Sequence, residues 1–493
     1  MRDVRRVRDV VVVGDGMAGH RVTAELHAVL PEARITVFGA ERHPTYNRVL
    51  LTRLLAGEAD ERGIRLPEPP PGVTVRRGVA VTAVDRVART VTAADGSVTP
   101  YDALVLATGG TAWLPPVRRL CGDDGNPLLP GVVALRTLDD CRELLTRVDE
   151  AARRPGGPAR VLVLGGGLLG LEAARGLVQR GTVEKVTVLQ AGPRLMERQL
   201  DETGSRTLVR SLARLGVSVR LGVQVTEVVG DRRLEGVRCA DGHLVAGDVL
   251  VVACGMRPRT ALAAAAGLPV RHGILVDDLM RTADPRIHAV GDCAEHRGRV
   301  YGLVQPTWEQ AGVAARAIAG LPAVHPYTGT RVVTRLKTTG VDLSTMGETG
   351  VDAADGPDDG TEVLTYLDSS RDVYQKVLVR DGRIQGAIMV GDSATLAVVT
   401  QLFDRRAPVP RDRRLLLFPE LAEAAQASGA TRLPDDAVVC RCNGVLKREV
   451  VRHRDAGART VASVAAATRA TTGCGGCRSL LEDILAEPSG TPA

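Results

Sequence analysis

Residues 10–19 read VVVVGDGMAG and residues 161–170 read VLVLGGGLLG, so four apolar positions run twice into a turn of the form G-x-G-x-x-G. Apolar residues in a row, without polar alternation, predict a strand buried on both faces of a parallel sheet. Gly14, Gly16 and Gly19, with Met17 and Ala18 between them, lead into a helical pattern through Leu30 and a second strand, Arg34-Ile-Thr-Val-Phe38. That is one βαβ unit. Gly165, Gly167 and Gly170, with Leu168 and Leu169, open a second copy that has a helix to Arg180 and the strand Lys185-Val-Thr-Val-Leu189. Glycines at these places permit a tight turn, close approach of the backbone to a pyrophosphate and close packing of helix on strand. Two copies in one chain predict two dinucleotides, one giving hydride and one taking it.

An acidic residue after the second strand accepts hydrogen bonds from a ribose, and Glu41 stands there, about twenty residues beyond the first loop. The second copy offers Gln190 and Arg194 instead. An acid repels a 2′-phosphate and an arginine accommodates one, so NADH and NADPH both stay open.

The 493 residues predict about three domains, and 44% hydrophobic with 25% charged residues excludes a disordered chain. A net charge of +6, without a basic stripe carrying aromatics, points away from nucleic acid. No run approaches the roughly 18 apolar residues of a membrane span, and Val10–Val13 ends in a glycine loop rather than a cleavage site. A cytoplasmic protein is expected. Nine cysteines do not form a secreted framework, because four of them, Cys440, Cys442, Cys474 and Cys477, crowd the last sixty or so residues.

The fold class expected is α/β: two Rossmann-like domains, an α+β domain and a small helical C-terminal domain. Residues 1–120 and 257–330 make the first dinucleotide domain and 121–256 the second, with Arg153-Arg-Pro-Gly-Gly-Pro158 as the connection into it. Residues 331–404 form the α+β domain, in which Tyr374–Arg380, an Asp381-Gly382 turn and Ile384–Val390 predict a hairpin. Residues 405–434 are a linker, and 435–487 hold the cysteines, with helices from Lys447 and Val461.

Beyond these loops, Thr108-Gly109, Gly255-Met-Arg-Pro258 and Asp284-Pro-Arg-Ile-His-Ala-Val-Gly-Asp292 resemble the two-dinucleotide flavoprotein reductases related to glutathione reductase. The resemblance implies FAD in the first Rossmann domain and NAD(P)H in the second. It places Thr108, Gly109, Val81 and Asp292 at the flavin, and Gly255 and Glu172 at the nicotinamide side. Disulfide-reducing members carry a cysteine pair near the flavin, whereas positions 39–60 here contain none. Pro44-Thr-Tyr46-Asn-Arg48-Val-Leu-Leu-Thr-Arg53 resembles the flavin-side segment of ferredoxin and nitrite reductases, so Arg48 and Arg53 meet the flavin or its phosphates, or lie solvated on the surface. Trp308-Glu309-Gln310 opens a helix that can edge the flavin, with Glu309 as the candidate contact.

Cys440-Arg-Cys442 with Thr472-Gly-Cys474-Gly-Gly-Cys477 resembles the 2Fe-2S domain of the bacterioferritin-associated ferredoxin type, with zinc or a redox dithiol as the alternative. Glycines at 473, 475 and 476 leave N–H groups for cluster sulfurs.

From His20, Tyr46-Asn-Arg48, Arg194–Asp201, Tyr301–Val304 and Arg335–Asp342, the chain as a whole is similar to NAD(P)H nitrite reductase large subunits. Those enzymes continue into a sirohaem module with further cysteines, and no cysteine follows Cys477 here. The expectation is therefore an electron-transfer subunit like that of assimilatory nitrate reductase, feeding a separate molybdenum subunit. A reductase for a sirohaem nitrite reductase, a ferredoxin or a rubredoxin is the alternative, and a redox-sensing or iron-handling docking protein is the alternative of another class. The expected cofactors are FAD, NADH or NADPH, and one 2Fe-2S cluster; a homodimer is left open.

Overall fold

The computed structural model describes residues 7–122, 129–155, 157–322, 324–350, 360–391, 394–418, 433–473 and 475–486. It divides into two compact units, the first made of Met1–Arg48, Glu61–Thr111 and Met256–Thr330, the second of Val49–Asp60, Ala112–Gly255 and Arg331–Ala493.

In the first unit, Asp9–Val13 is the middle strand of a five-stranded parallel sheet ordered Ile287–Ala289, Ala103–Leu106, Asp9–Val13, Arg34–Gly39, Thr74–Arg77. Val10 to Val13 are buried because both faces are covered. Val10, Val12, Ile35 and Val37 pack against Val22 and Leu26 of the helix Met17–Val29 and Ala311 and Ala314 of the helix Val304–Ile318. Val11, Val13 and Phe38 pack on the other side against Val91 and Ala93 of a three-stranded meander. The strand Ile287–Ala289 closes the sheet from far along the chain, as the expected return to the first domain requires.

The second unit repeats this plan with the strand order Val217–Arg220, Val183–Leu189, Ala159–Leu164, Val249–Val252, Val132–Ala134, again all parallel. Its edge strand and the helix Leu138–Ala152 precede the central strand. The Pro and Gly segment 153–158 therefore lies inside this unit and not at the entry to it, with Gly156 outside the described residues. Thr137 and Asp140 form a capping box on that helix, with Asp140 N–H donating to Thr137 Oγ1 at 3.2 Å and Thr137 N–H to Asp140 Oδ2 at 2.6 Å.

The third sheet is antiparallel, ordered Val333–Thr338, Val341–Gly347, Arg383–Val390, Val373–Arg380, Glu362–Asp368. The expected hairpin is present, and Asp381 (φ 52°) and Gly382 (φ 63°) supply the two positive angles of its tight turn. The helix Ala394–Arg405 covers one face. So do Val409, Leu416 and Leu417, which places the first part of the expected linker in the core of this sheet. Residues 419–432 lie outside the described residues.

The C-terminal domain is a short strand pair, Val438–Cys440 with Val445–Leu446, and the helices Lys447–Asp455, Val461–Thr468 and Arg478–Ala486 around Val450, Val464, Leu481 and Ile484. No helix among the described residues is long and apolar enough to cross a membrane.

Candidate functional site

The first glycine turn is built by exclusion. A Cβ on Gly14 (φ 115°) would lie 2.1 Å from the Ala107 carbonyl oxygen, and one on Gly19 would lie 1.7 Å from that of Gly14. Gly16 differs, since its Cβ would meet only Arg48 Nε, at 3.9 Å. Gly16 also N-caps the helix Met17–Val29, and no side chain caps it. The first-turn N–H groups of Met17 and Ala18 therefore stand at a helix terminus without a protein side chain, beside an open glycine face. A dinucleotide pyrophosphate fits that combination.

Around this turn the chain gathers Glu41, Arg48 and Asp292. Glu41 accepts from Tyr46 Oη at 2.6 Å and from Arg48. The Arg48 guanidinium lies 5.0 Å from the Tyr46 ring centre. Burial pulls the Arg48 pKa down, but Tyr46, Glu41 and Asp292 outweigh it and the pKa ends above its ordinary value. Asp292 follows Gly291, whose N–H donates to Gln310 Oε1 at 2.8 Å and whose Cβ would press on Ala18 Cβ at 2.8 Å. Thr108 and Gly109 (φ 68°) follow the strand Ala103–Leu106, and Thr108 Oγ1 donates to the Arg259 carbonyl at 2.7 Å. Val81 opens the meander strand Val81–Asp85, tied to the end of Arg34–Gly39 by Val79 N–H to Gly39 O at 2.9 Å. All of these lie at the carboxyl edge of one parallel sheet, where open α/β sheets bind ligands.

Two of the expected flavin contacts, Glu309 and Arg53, have protein partners. Glu309 is exposed and accepts from Thr330 Oγ1 at 2.6 Å and Gln305 Nε2 at 3.2 Å, while its neighbour Gln310 is buried and holds the Asp292 turn. One residue along a helix is a rotation of about 100°, enough to exchange the two faces. Arg53 belongs to the second unit, where it donates to Glu58 at 3.1 Å and to the Gly473 carbonyl at 3.3 Å. Sequence reading also missed Asp15, the residue between the first two loop glycines. Its carboxyl accepts from Thr45 Oγ1 at 2.7 Å and Arg77 Nε at 3.4 Å, and burial pushes its pKa up against both.

The second turn follows the same rules. A Cβ on Gly165 (φ 113°) would lie 2.5 Å from the Ala253 carbonyl and one on Gly170 2.1 Å from that of Gly165, whereas nothing lies within 4 Å of one on Gly167. The helix Leu168–Arg180 likewise has no side-chain cap. Leu168 and Leu169 supply its first-turn N–H groups. Gln190 Oε1 accepts from Gly166 N–H at 2.7 Å, so this side chain braces the loop at the position where an acid would meet a ribose. Arg194 Nε is buried without a hydrogen-bond partner. Gly255 (φ 111°) has open space on its Cβ side and accepts from Trp113 N–H at 3.0 Å. Glu172, 5% exposed, accepts from Thr52 Oγ1 at 3.1 Å.

In the C-terminal domain, Cys440, Cys442 and Cys477 share one core and none forms a disulfide. Cys474 lies outside the described residues. A Cβ on Gly473 would come within 2.5 Å of Cys442 Cβ, so the two cysteine turns approach as closely as glycine allows. Asn443 Nδ2 lies 3.6 Å from Cys440 Sγ and also donates to the Arg469 carbonyl at 2.5 Å and Thr472 Oγ1 at 3.3 Å, joining the turns. Thiols from two turns pinned together, with an amide N–H on one sulfur, fit a thiolate-ligated iron–sulfur cluster.

Three family models match successive parts of the chain. Residues 8–317 match the pyridine nucleotide-disulphide oxidoreductase family, 333–407 the rubredoxin NAD+ reductase C-terminal domain, and 438–487 the BFD-like [2Fe-2S] binding domain. The chain is 36% identical to nitrite reductase [NAD(P)H] of Bacillus subtilis, over 98% of this chain and 58% of that protein. It is 32% identical to the assimilatory nitrate reductase electron transfer subunit of the same organism, over 98% of this chain and 61% of that protein. It thus spans less than two thirds of the length of either relative. A ferredoxin reductase from Rhodopseudomonas palustris superimposes with a TM-score of 0.72 at 26% identity, covering 85% of this chain and all of that one. The chain belongs to the pyridine nucleotide-disulphide oxidoreductase family, as an FAD-dependent NAD(P)H oxidoreductase that carries a BFD-like 2Fe-2S domain.

Proposed function

We propose that this protein is the electron-transfer component of an assimilatory nitrate reductase, taking electrons from NADH or NADPH and delivering them to a separate molybdenum subunit. The observation that carries this reading is the union in one chain of two uncapped glycine-turn helices with a pinned set of cysteine turns. The same union extends over 98% of this chain in its similarity to an assimilatory nitrate reductase electron transfer subunit. When bound, a nicotinamide supplies hydride, a flavin accepts two electrons and releases them singly, and a 2Fe-2S cluster carries one at a time.

The chain's own part is to bind and orient. Met17 and Ala18 N–H groups take the FAD pyrophosphate, with Gly16 leaving room for it and Arg48 beside it. Glu41 would take the ribose, and Asp292, next to the Gly291 N–H that donates to Gln310, would meet the flavin side chain. Leu168 and Leu169 N–H groups take the nicotinamide dinucleotide's pyrophosphate over Gly167, and the neutral Gln190 admits either nucleotide. Cys440, Cys442, Cys474 and Cys477 would ligate the cluster. No side chain is needed as a general acid or base.

Supply of a sirohaem nitrite reductase is the second reading, favoured by the 36% identity to nitrite reductase over the same 98% of the chain. Reconstitution decides between them. NAD(P)H-dependent nitrite production with an added molybdenum subunit supports the first, and NAD(P)H-dependent nitrite consumption with a sirohaem protein supports the second. Failure to oxidise NAD(P)H even with ferricyanide removes both and leaves a docking or sensing protein.

A further inference from the structure

Arginine contacts tie Arg441, Gly473 and Gly476, which neighbour the cysteines in sequence, to other parts of the second unit. Arg441, between Cys440 and Cys442, pairs with Asp404 near the end of the helix Ala394–Arg405. Arg335, on the strand Val333–Thr338, donates from Nη1 to the Gly476 carbonyl at 2.9 Å. A Cβ on Gly476 would lie 1.8 Å from that same nitrogen, so a side chain there would displace the guanidinium. Arg53, on the short helix Leu51–Leu55, reaches the Gly473 carbonyl from Nη1 at 3.3 Å.

Arg53 is itself fixed. Its Nε donates to Glu58 at 3.1 Å, and Glu58 also accepts from Gln179 Nε2 at 2.7 Å and Thr339 Oγ1 at 2.8 Å. One carboxylate thus ties the helix Leu51–Leu55, the nucleotide-domain helix Leu168–Arg180 and the third sheet to the guanidinium that touches the cysteine turn. Burial raises the Glu58 pKa, but these three bonds outweigh it and keep the group ionised.

We propose that Arg53 and Arg335 are positioning residues that hold the Gly473 and Gly476 carbonyls and raise the reduction potential of the cluster beside them. Each guanidinium fixes a carbonyl of the ligand turn, which orients the peptide N–H groups around the sulfurs. Each also sets a permanent positive charge beside a centre that gains a negative charge on reduction, so the reduced state is favoured. Neither residue is a ligand.

The proposal rests on the reading of the four cysteines as a 2Fe-2S site, and the test separates the two. Iron content and the visible spectrum of the unaltered full-length protein test the site. The seating is read by amide hydrogen exchange across residues 470–477 in the full chain, which needs no iron. In R53A/R335A, exchange there is expected to quicken by about ten-fold or more, and the cluster midpoint in an EPR-monitored titration to move to a more negative potential. R335K, which keeps the charge but not the planar fork, should recover most of the midpoint shift of R335A. R206A, which removes an exposed arginine of the helix Glu202–Arg214, serves as the control. If the double variant misfolds, the single variant R335Q carries the same two readings. Unchanged exchange, or a midpoint equal to that of the unaltered protein, overturns the proposal.

Discussion

At the scale of single residues, the two kinds of glycine in each turn make opposite predictions. Gly19→Ala drives a Cβ to 1.7 Å from a backbone oxygen that no rotamer can relieve, so it should cost on the order of 3 kcal/mol in chemical denaturation. Gly16→Ala meets no protein atom closer than 3.9 Å, so the fold should hold to within about 1 kcal/mol. Its FAD affinity should nevertheless fall by about ten-fold or more, as measured by flavin retained per chain on dialysis. Gln190→Glu preserves the acceptor for Gly166 N–H and adds a charge where a 2′-phosphate would lie. It should raise the KM for NADPH about ten-fold, leaving that for NADH within about three-fold. His288 gives a pH signature. It is 3% exposed, neither ring nitrogen has a hydrogen-bond partner, and burial, assisted by Arg281 and opposed by Asp277, pushes its pKa down to about 4 from 6.5. Unfolded chain takes the proton near pH 6.5 and folded chain does not until about pH 4, so stability falls as pH drops through that window. Between pH 7 and pH 5 the loss from this group is about 2 kcal/mol, and His288→Leu should abolish that part of the pH dependence in denaturation curves.

At the scale of elements, the helix Glu202–Arg214 shows how one carboxylate joins two sheets' worth of structure. Asp201 caps this helix through Gly204 N–H at 2.8 Å and accepts from Tyr374 Oη at 2.7 Å and Lys376 Nζ at 2.8 Å. Lys376 is only 2% exposed, so Asp201→Ala takes a carboxylate from a buried cation and should cost about 3 kcal/mol. The double variant Asp201→Asn with Lys376→Met should be less destabilised than the sum of its singles in a double-mutant cycle. Elements with a strong period were legible from residues alone. The apolar runs at 10–13 and 161–164 announce central parallel strands, and the Asp381-Gly382 pair announces its hairpin. Less was legible where burial is sparse. Leu51, Leu54 and Leu55 mark an apolar face but not which unit it joins. Val409, Leu416 and Leu417 are too few among charges and prolines to reveal that residues 408–418 pack on a sheet. The edge strand Val132–Ala134 is too short to register, so the Pro and Gly segment after the helix Leu138–Ala152 reads as a domain entry.

At the scale of the whole molecule, the candidate site was legible wherever chemistry demands a residue type at a fixed spacing, as in both glycine turns and the C-x-C with C-x-x-C set. It was not legible where a long side chain chooses between partners far apart in sequence. Arg53 reaches a carbonyl 420 residues away, and only the fold brings Gly473 there. The division of labour predicts that Cys477→Ser removes the visible signature of the cluster and transfer to the partner while nucleotide still bleaches the flavin, read by anaerobic stopped flow. Loss of flavin reduction in a folded Cys477→Ser protein would mean that the two sites are not separable. The most direct test of an electron-transfer reductase is an anaerobic titration of the purified full-length protein with NADH, and in parallel NADPH, followed by visible and EPR spectra with metal analysis. Bleaching of bound flavin by at least one nucleotide, together with a reduced 2Fe-2S signal and about two irons per chain, is the predicted result. Zinc in place of iron, or a flavin that stays oxidised with both nucleotides, would contradict it.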